Sequence, residues 1–180
     1  MEIEDHALEF ATNMHKGQLR KGGHAPYIEH PKRVAAAVRK YVLDHGIDYG
    51  PSKCSIGMSM VVAGYLHDGP EDCGITIDKI AEEFGPMIAS FVDWMTNKTH
   101  GMNLPRAERK RLDRERLSAA PREVKIIKML DRIDNLTDTG LTDEFKKKYV
   151  AESLLLVEVL RDADEELAGR LMEAAKKLEG

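Results

Sequence analysis

The stretch Met58–Asp72, MSMVVAGYLHDGPED, decides how the rest of the chain is interpreted. Its first nine residues are apolar or small, and they predict a buried helix. Four ionisable side chains follow at once: His67, Asp68, Glu71 and Asp72. Acidic groups next to a buried helix are costly unless a partner compensates their charge, and a metal ion would do so. A His-Asp pair alone also arises by chance near helix ends, so the prediction of a metal site depends on the residues around it.

Two further residues extend the His-Asp pair to a set of four candidate metal ligands. His30 precedes Pro31, which suits the first turn of a helix, and Asp131 interrupts the apolar segment 126–133. A carboxylate in such a segment is more often bound to a metal or to a cation than solvated. Nitrogen and oxygen donors without cysteine suit Mn²⁺, and also Fe²⁺ or Zn²⁺. Open coordination positions for water and a phosphate oxygen indicate a metal-dependent phosphohydrolase.

The composition limits the classes of binding partner that we expect. The chain of 180 residues predicts a single domain over residues 1–180, and the net charge of −4 gives no general attraction to nucleic acid or to an anionic membrane. Cys54 and Cys73 are too few for a disulfide framework, and the acidic N-terminus does not resemble a signal peptide. No apolar run is long enough to span a bilayer. We therefore expect a cytoplasmic protein with a small-molecule substrate and neither nucleic acid nor membrane as a partner.

Helical periodicity dominates the chain, and no credible pair of strands appears, so the expected fold class is all-α. The predicted helices cover residues 3–16, 30–45, 52–68, 76–84, 86–96, 105–117, 122–138, 143–160 and 163–178. The apolar faces of the last two helices suit a core or a subunit partner, which leaves a homo-oligomer open. The helix over 105–117 is basic, and its cations form either a solvated face or a phosphate contact.

Four ordered motifs resemble a known family. The segments are HKGQLRKGGHAPYIEHPKRVA at 15–35, LHDGPED at 66–72, LPRAERKR at 104–111 and KMLDRIDNL at 128–136. They resemble the hydrolase domain of the bifunctional alarmone synthetase–hydrolases, and most of all the stand-alone small alarmone hydrolases of metazoan type. The resemblance implies a helical HD-domain bundle that removes the 3′-pyrophosphate from ppGpp or pppGpp with Mn²⁺.

The resemblance also implies roles for individual residues. By position in the motifs, the metal would be held by His30, His67, Asp68 and Asp131. Glu71 and Asp72 would orient water and handle protons. The nucleotide would be contacted by Arg20, Lys21, Asn135 and Lys98. A planar Arg20 guanidinium can stack on a base, whereas Lys21 suits a phosphate.

The chain departs from the family pattern beside these positions, at Gly69-Pro70, Cys73, Leu130 and Asp134. The departures leave the ligand set intact and adjoin catalytic or nucleotide-binding positions. Alternatives therefore stay open at this point. One is an HD phosphohydrolase of another nucleotide, such as an NADPH 2′-phosphatase or a 5′-nucleotidase. Another, from a different class, is a nucleotide sensor without catalysis.

Overall fold

Helices are the regular structure of this chain. The computed structural model describes residues 2–20, 25–52, 54–137 and 142–179. Within these residues Leu19 and Pro26 form an isolated antiparallel β-bridge, which is not part of a strand. The expected all-α class is confirmed. The helices of the described part are α1 Ile3–Met14, α2 Glu29–Asp44, α3 Ile56–Leu66, α4 Gly69–Asp72, α5 Ile77–Phe84, α6 Pro86–Met95, α7 Arg106–Ser118, α8 Arg122–Leu136, α9 Asp143–Leu160 and α10 Glu165–Glu179.

Local signals explain most of the helix ends. Thr76 caps α5 by accepting a hydrogen bond from the backbone N–H of Lys79, and Thr142 caps α9 by accepting one from Phe145. Gly85 separates α5 from α6 with φ of 95°, a conformation that favours glycine, and Pro86 then opens α6. The boundaries expected from breakers in the sequence are therefore close to those observed.

The chain forms two compact units, residues 1–96 and residues 97–180. In the first unit α3 is the central helix, with every residue from Gly57 to Leu66 buried, and it packs against α1, α2 and α6. A Cβ atom at Gly64 would lie 3.1 Å from the Cα of Ala35 on α2. Glycine therefore lets α2 and α3 approach closely just before His67, which follows the end of α3.

In the second unit α8 packs against α9 and α10, while α7 packs against α9. The apolar core residues of α8 include Val124, Ile126, Ile127 and Met129, all fully buried. The same helix buries Lys125, Lys128, Asp131 and Arg132, so its polar side chains need partners within the fold. The expectation that residues 1–180 act as one domain stays a prediction.

The largest differences from the expected helix boundaries lie at the central helix and directly after it. The helix expected over 52–68 begins at Ile56, because Ser55 has the extended backbone of a residue that precedes a helix. Gly69-Pro70, expected to end or kink this helix, lies in the first turn of the short helix α4. Among the described residues, none of the helices is both long enough and apolar enough to cross a membrane.

Candidate metal centre

His30, His67 and Asp68 form a compact group of potential ligands in the first unit. One donor atom from each residue lies within 4.8 Å of the others. The Nε2 atom of His67 is 3.2 Å from Asp68 Oδ1, and the Nε2 atom of His30 is 3.6 Å from Asp68 Oδ2. Both histidines are buried and Asp68 is half-buried, so the group is open on the side of the carboxylate. The grouping expected for these three residues is therefore present.

The hydrogen bonding of His67 favours metal ligation. Its Nδ1 atom lies 2.9 Å from the carbonyl oxygen of Gly64. Because a carbonyl can only accept, Nδ1 carries the proton and the neutral ring has its lone pair on Nε2. This Nε2 atom faces Asp68. Ligating histidines usually have their second ring nitrogen fixed in this way, and the residues present thus fit a divalent ion.

Tyr27 is a neighbour of the cluster that the sequence reasoning did not assign. Its hydroxyl donates to Asp68 Oδ2 over 2.8 Å, and its ring stacks on the buried His15 at 4.8 Å between ring centroids. Burial, and then the charges of Asp68 and Asp72, raise the pKa of Tyr27, so it stays a donor. The sequence signal that could have identified it is its position three residues before His30, inside the motif at 15–35.

Arg20 lies at the edge of the same group. Its backbone N–H donates to the carbonyl of Ala25 over 2.9 Å, which holds Arg20 next to Ala25. The guanidinium carbon of Arg20 stands 5.5 Å from the centroid of the Tyr27 ring. Arg20 is thus held next to a residue that bonds the metal cluster. Lys21, the second expected nucleotide contact, lies outside the described residues.

Glu71 and Asp72 follow the cluster in the single turn of α4. Glu71 is half-buried and Asp72 is exposed. The backbone N–H of Asp72 donates to the carbonyl of Asp68 over 2.9 Å, which fixes α4 directly behind the ligand. Gln18 adds a side-chain hydrogen bond to the carbonyl of Asp72 at 3.3 Å. The acidic pair is therefore anchored to the ligand segment.

Asp131 and Asn135 lie one turn apart on α8, in the second unit. Asp131 is 3% exposed, so its carboxylate needs partners. Lys128 donates to its Oδ2 over 2.9 Å, and Asn135 donates to its Oδ1 over 2.6 Å. Lys98, the remaining expected substrate contact, is exposed in the loop before α7. Asp131 as a ligand, and Asn135 and Lys98 as substrate contacts, stay predictions.

A helical fold in which two histidines and an aspartate meet behind an acidic pair defines the class of metal-dependent HD phosphohydrolases. The family model described as "HD domain" matches residues 7–163, and the chain belongs to that family. The resemblance inferred from the motifs is thereby confirmed at the level of the family.

Individual relatives point in the same direction. The chain is 30% identical over 172 residues to a protein of Xenopus tropicalis named guanosine-3′,5′-bis(diphosphate) 3′-pyrophosphohydrolase MESH1, covering 92% of this chain and 88% of that protein. A solved structure titled "A metazoan ortholog of SpoT hydrolyzes ppGpp and plays a role in starvation responses" matches with a TM-score of 0.79 and 26% identity, covering 98% of this chain and 96% of the other.

A longer relative matches over a part of its length. The probable GTP pyrophosphokinase of Mycobacterium leprae is 31% identical over 160 residues, which cover 87% of this chain and 18% of that protein. The chain therefore corresponds to one segment of such larger proteins. The MESH1 protein, by contrast, is similar to this chain over most of both lengths.

Proposed function

We propose that the protein hydrolyses the 3′-pyrophosphate of ppGpp and releases GDP and pyrophosphate. Water adds to the phosphorus attached to the ribose 3′ oxygen, and that oxygen leaves with a proton as the 3′-hydroxyl of GDP. The observation that carries the proposal is the His30, His67 and Asp68 cluster. The chain that holds it is similar over 92% of its length to a relative named for this reaction.

The ligands of the proposed ion are His30, His67, Asp68 and Asp131. A divalent ion, Mn²⁺ in this proposal with Fe²⁺ or Zn²⁺ as the other candidates, would lower the pKa of bound water and offset phosphoryl charge. The nitrogen and oxygen donor set supports this choice because it contains no thiolate. Tyr27 would hold the Asp68 carboxylate in place through its hydroxyl, which donates over 2.8 Å.

The roles of the remaining residues follow from their chemistry and position. Glu71 and Asp72 would take the proton from water and return one to the leaving oxygen. Arg20, held over the Tyr27 ring at 5.5 Å, has a planar guanidinium that can stack on guanine. We assign Lys21 and Lys98 to phosphate and Asn135 to the ribose or a phosphate. The protein is proposed to act as one domain in the cytoplasm.

The deciding experiment is product analysis on four nucleotides with Mn²⁺ present: ppGpp, GTP, NADPH and a deoxynucleoside monophosphate. We expect ppGpp to yield GDP and pyrophosphate in equal amounts, with the other three intact. His67→Ala protein, purified in parallel, controls for contaminating phosphatases. Hydrolysis of NADPH or the monophosphate while ppGpp stays intact would refute the alarmone proposal and retain the phosphohydrolase class. Binding of ppGpp without turnover would identify a sensor.

A further inference from the structure

The basic helix α7 has two faces with different chemistry. On one face Arg111 is neutralised by Glu108 at 2.8 Å and by Glu115 at 2.9 Å. On the other face Arg106, Lys110 and Arg114 recur every four residues and line a groove against α9. The basic residues noted in the sequence are therefore not one uniform solvated surface.

This groove, which we call the α7–α9 groove, has a volume of about 410 Å³. Its floor is apolar and consists of Ala107, Ala151 and Leu155, and the Leu155 side chain is 51% exposed. Its other lining residues are Arg106, Lys110, Arg114, Lys148 and Glu152. The lining thus has one carboxylate among four cations.

The carboxylate does not neutralise the middle of the groove. Glu152 accepts two hydrogen bonds from Arg106, at 2.7 and 2.8 Å, and so is occupied at one end. In the described part of the chain Lys110 and Arg114 form no side-chain hydrogen bond or ion pair. Burial lowers the pKa of Lys110, the nearby charges of Lys128 and Arg132 lower it further, and those of Asp113 and Glu152 act in the opposite direction.

A smaller cavity of about 20 Å³ shares Lys110, Arg114 and Glu152 with the groove, and Arg132 lines it. Arg132 is 8% exposed, and its guanidinium stacks on Tyr149 at 4.4 Å. Its Nε and Nη1 atoms are buried and have no hydrogen-bond partner among the described residues. Burying guanidinium N–H groups without hydrogen-bond acceptors costs free energy, and a bound anion would supply the acceptors.

The carboxylates near this cavity are already engaged. Asp113 accepts from the hydroxyl of Thr99 over 2.8 Å, and Glu152 accepts from Arg106 over 2.7 Å. The cations that remain to attract a ligand are Lys110, Arg114 and Arg132. Lys110 and Arg114 line both the groove and the cavity, and Arg132 lines the cavity beside them. Such cations next to an apolar floor match a ligand with clustered negative charge and a flat apolar part.

We propose that the α7–α9 groove is a second nucleotide-binding site, which takes a nucleoside polyphosphate. The phosphates bind Lys110 and Arg114 and reach the buried donors of Arg132 in the adjoining cavity, while the base or sugar covers Ala107, Ala151 and Leu155. The groove volume of about 410 Å³ falls among those of small-molecule sites. None of the predicted metal ligands lines the groove, so this inference does not rest on the proposed hydrolysis.

Calorimetric titration of the full chain with ATP, in buffer with a chelator, tests the proposal. We expect Arg114→Ala and Lys110→Ala to weaken ATP binding at least about tenfold, since each removes a charge-assisted contact. Arg111→Ala is the matched control, because Arg111 lies on the same helix and is paired outside the groove. It should bind ATP as the wild type does.

Inorganic pyrophosphate as the second probe separates phosphate recognition from nucleoside recognition. We expect it to bind more weakly than ATP and to lose affinity in Arg114→Ala. Equal affinity for pyrophosphate and ATP would overturn the nucleoside assignment. No measurable ATP binding, or the same ATP affinity in Arg114→Ala and wild type, would overturn the site. Binding of a polyglutamate peptide in place of ATP would do so as well.

Discussion

The ring of His67 is held in one orientation by a hydrogen bond. Its Nδ1–H is held by the carbonyl of Gly64 at 2.9 Å, and its Nε2 atom faces Asp68 Oδ1 at 3.2 Å. Rotation of the ring would cost the first hydrogen bond, so the orientation does not depend on the ion. A ligand that is oriented before binding loses less entropy when the metal arrives.

We expect His67→Ala to lose most of the bound divalent ion, because it removes one preoriented nitrogen donor. Metal content after dialysis against Mn²⁺, measured by atomic spectroscopy, should fall well below one ion per chain. His100→Ala, which changes an exposed histidine after α6, should retain the wild-type content. Equal metal content in His67→Ala and wild type would show that His67 is not a ligand.

Glu71→Gln and Asp72→Asn should impair turnover more than metal binding. Each change keeps the size of the side chain and removes its basicity, and loss of general acid–base function lowers rates by about 10²–10⁴-fold. Steady-state kinetics with ppGpp and parallel metal analysis would separate the two effects. Glu82→Gln on the exposed side of α5 is the control. Normal kcat in both variants would assign the pair to the turn of α4 alone.

Tyr27→Phe removes the hydroxyl that donates to Asp68 and keeps the ring that stacks on His15. Residues that orient metal ligands typically contribute about 10–100-fold to metal affinity or activity. We expect a loss of about tenfold in Mn²⁺ affinity, measured by titration, with unchanged thermal stability of the metal-free protein. Unchanged Mn²⁺ affinity would mean that Asp68 is positioned without Tyr27.

At the scale of elements, the sequence predicts helices best where a breaker separates them. Gly85-Pro86, Pro105 and Pro121 stand at boundaries, and the helices there begin within one residue of expectation. The short helix α4 was not predicted, because a single turn has too few residues for a periodic pattern. The hydrogen bond of Tyr27 to Asp68 joins segments far apart in the chain, and local patterns do not report such contacts.

Two glycines inside helices should respond to alanine with opposite signs. At Gly64 the added Cβ would meet the backbone of Ala35 at 3.1 Å, so α2 and α3 must separate. We expect Gly64→Ala to lower the free energy of unfolding by about 1–3 kcal/mol. At Gly169 on α10 nothing lies within 4 Å of the new atom, and alanine should add about 0.5–1 kcal/mol.

Chemical denaturation of both glycine variants gives the comparison directly. Because Gly64 lies three residues before His67, the Gly64→Ala protein should also bind Mn²⁺ more weakly. Gly169→Ala should bind Mn²⁺ as the wild type does. Destabilisation of the two proteins by similar amounts would contradict the close approach of α2 and α3 as the reason for glycine.

At the scale of the whole molecule, the functional prediction depended on the order of the motifs along the chain. Composition gave no reason to expect membranes or nucleic acid as partners, and it did not suggest a reaction. The motifs around His30, His67 and Asp68 were sufficient to predict a cluster that the structure assembles. The α7–α9 groove could not be predicted from the sequence. Its excess of positive charge depends on which basic side chains of α7 form ion pairs within the helix and which ones line the groove.

Binding of the ion should stabilise the folded chain, since the unfolded chain has no preformed cluster. A ligand at about one hundred times its Kd adds about 2.7 kcal/mol to the free energy of unfolding. For a chain of this size the midpoint of thermal unfolding should then rise by about 5–10 °C. Calorimetry with Mn²⁺ and with excess chelator measures the shift, which should vanish in His67→Ala and persist in His100→Ala. A Mn²⁺-dependent shift of the same size in His67→Ala would place the stabilising ion elsewhere on the molecule.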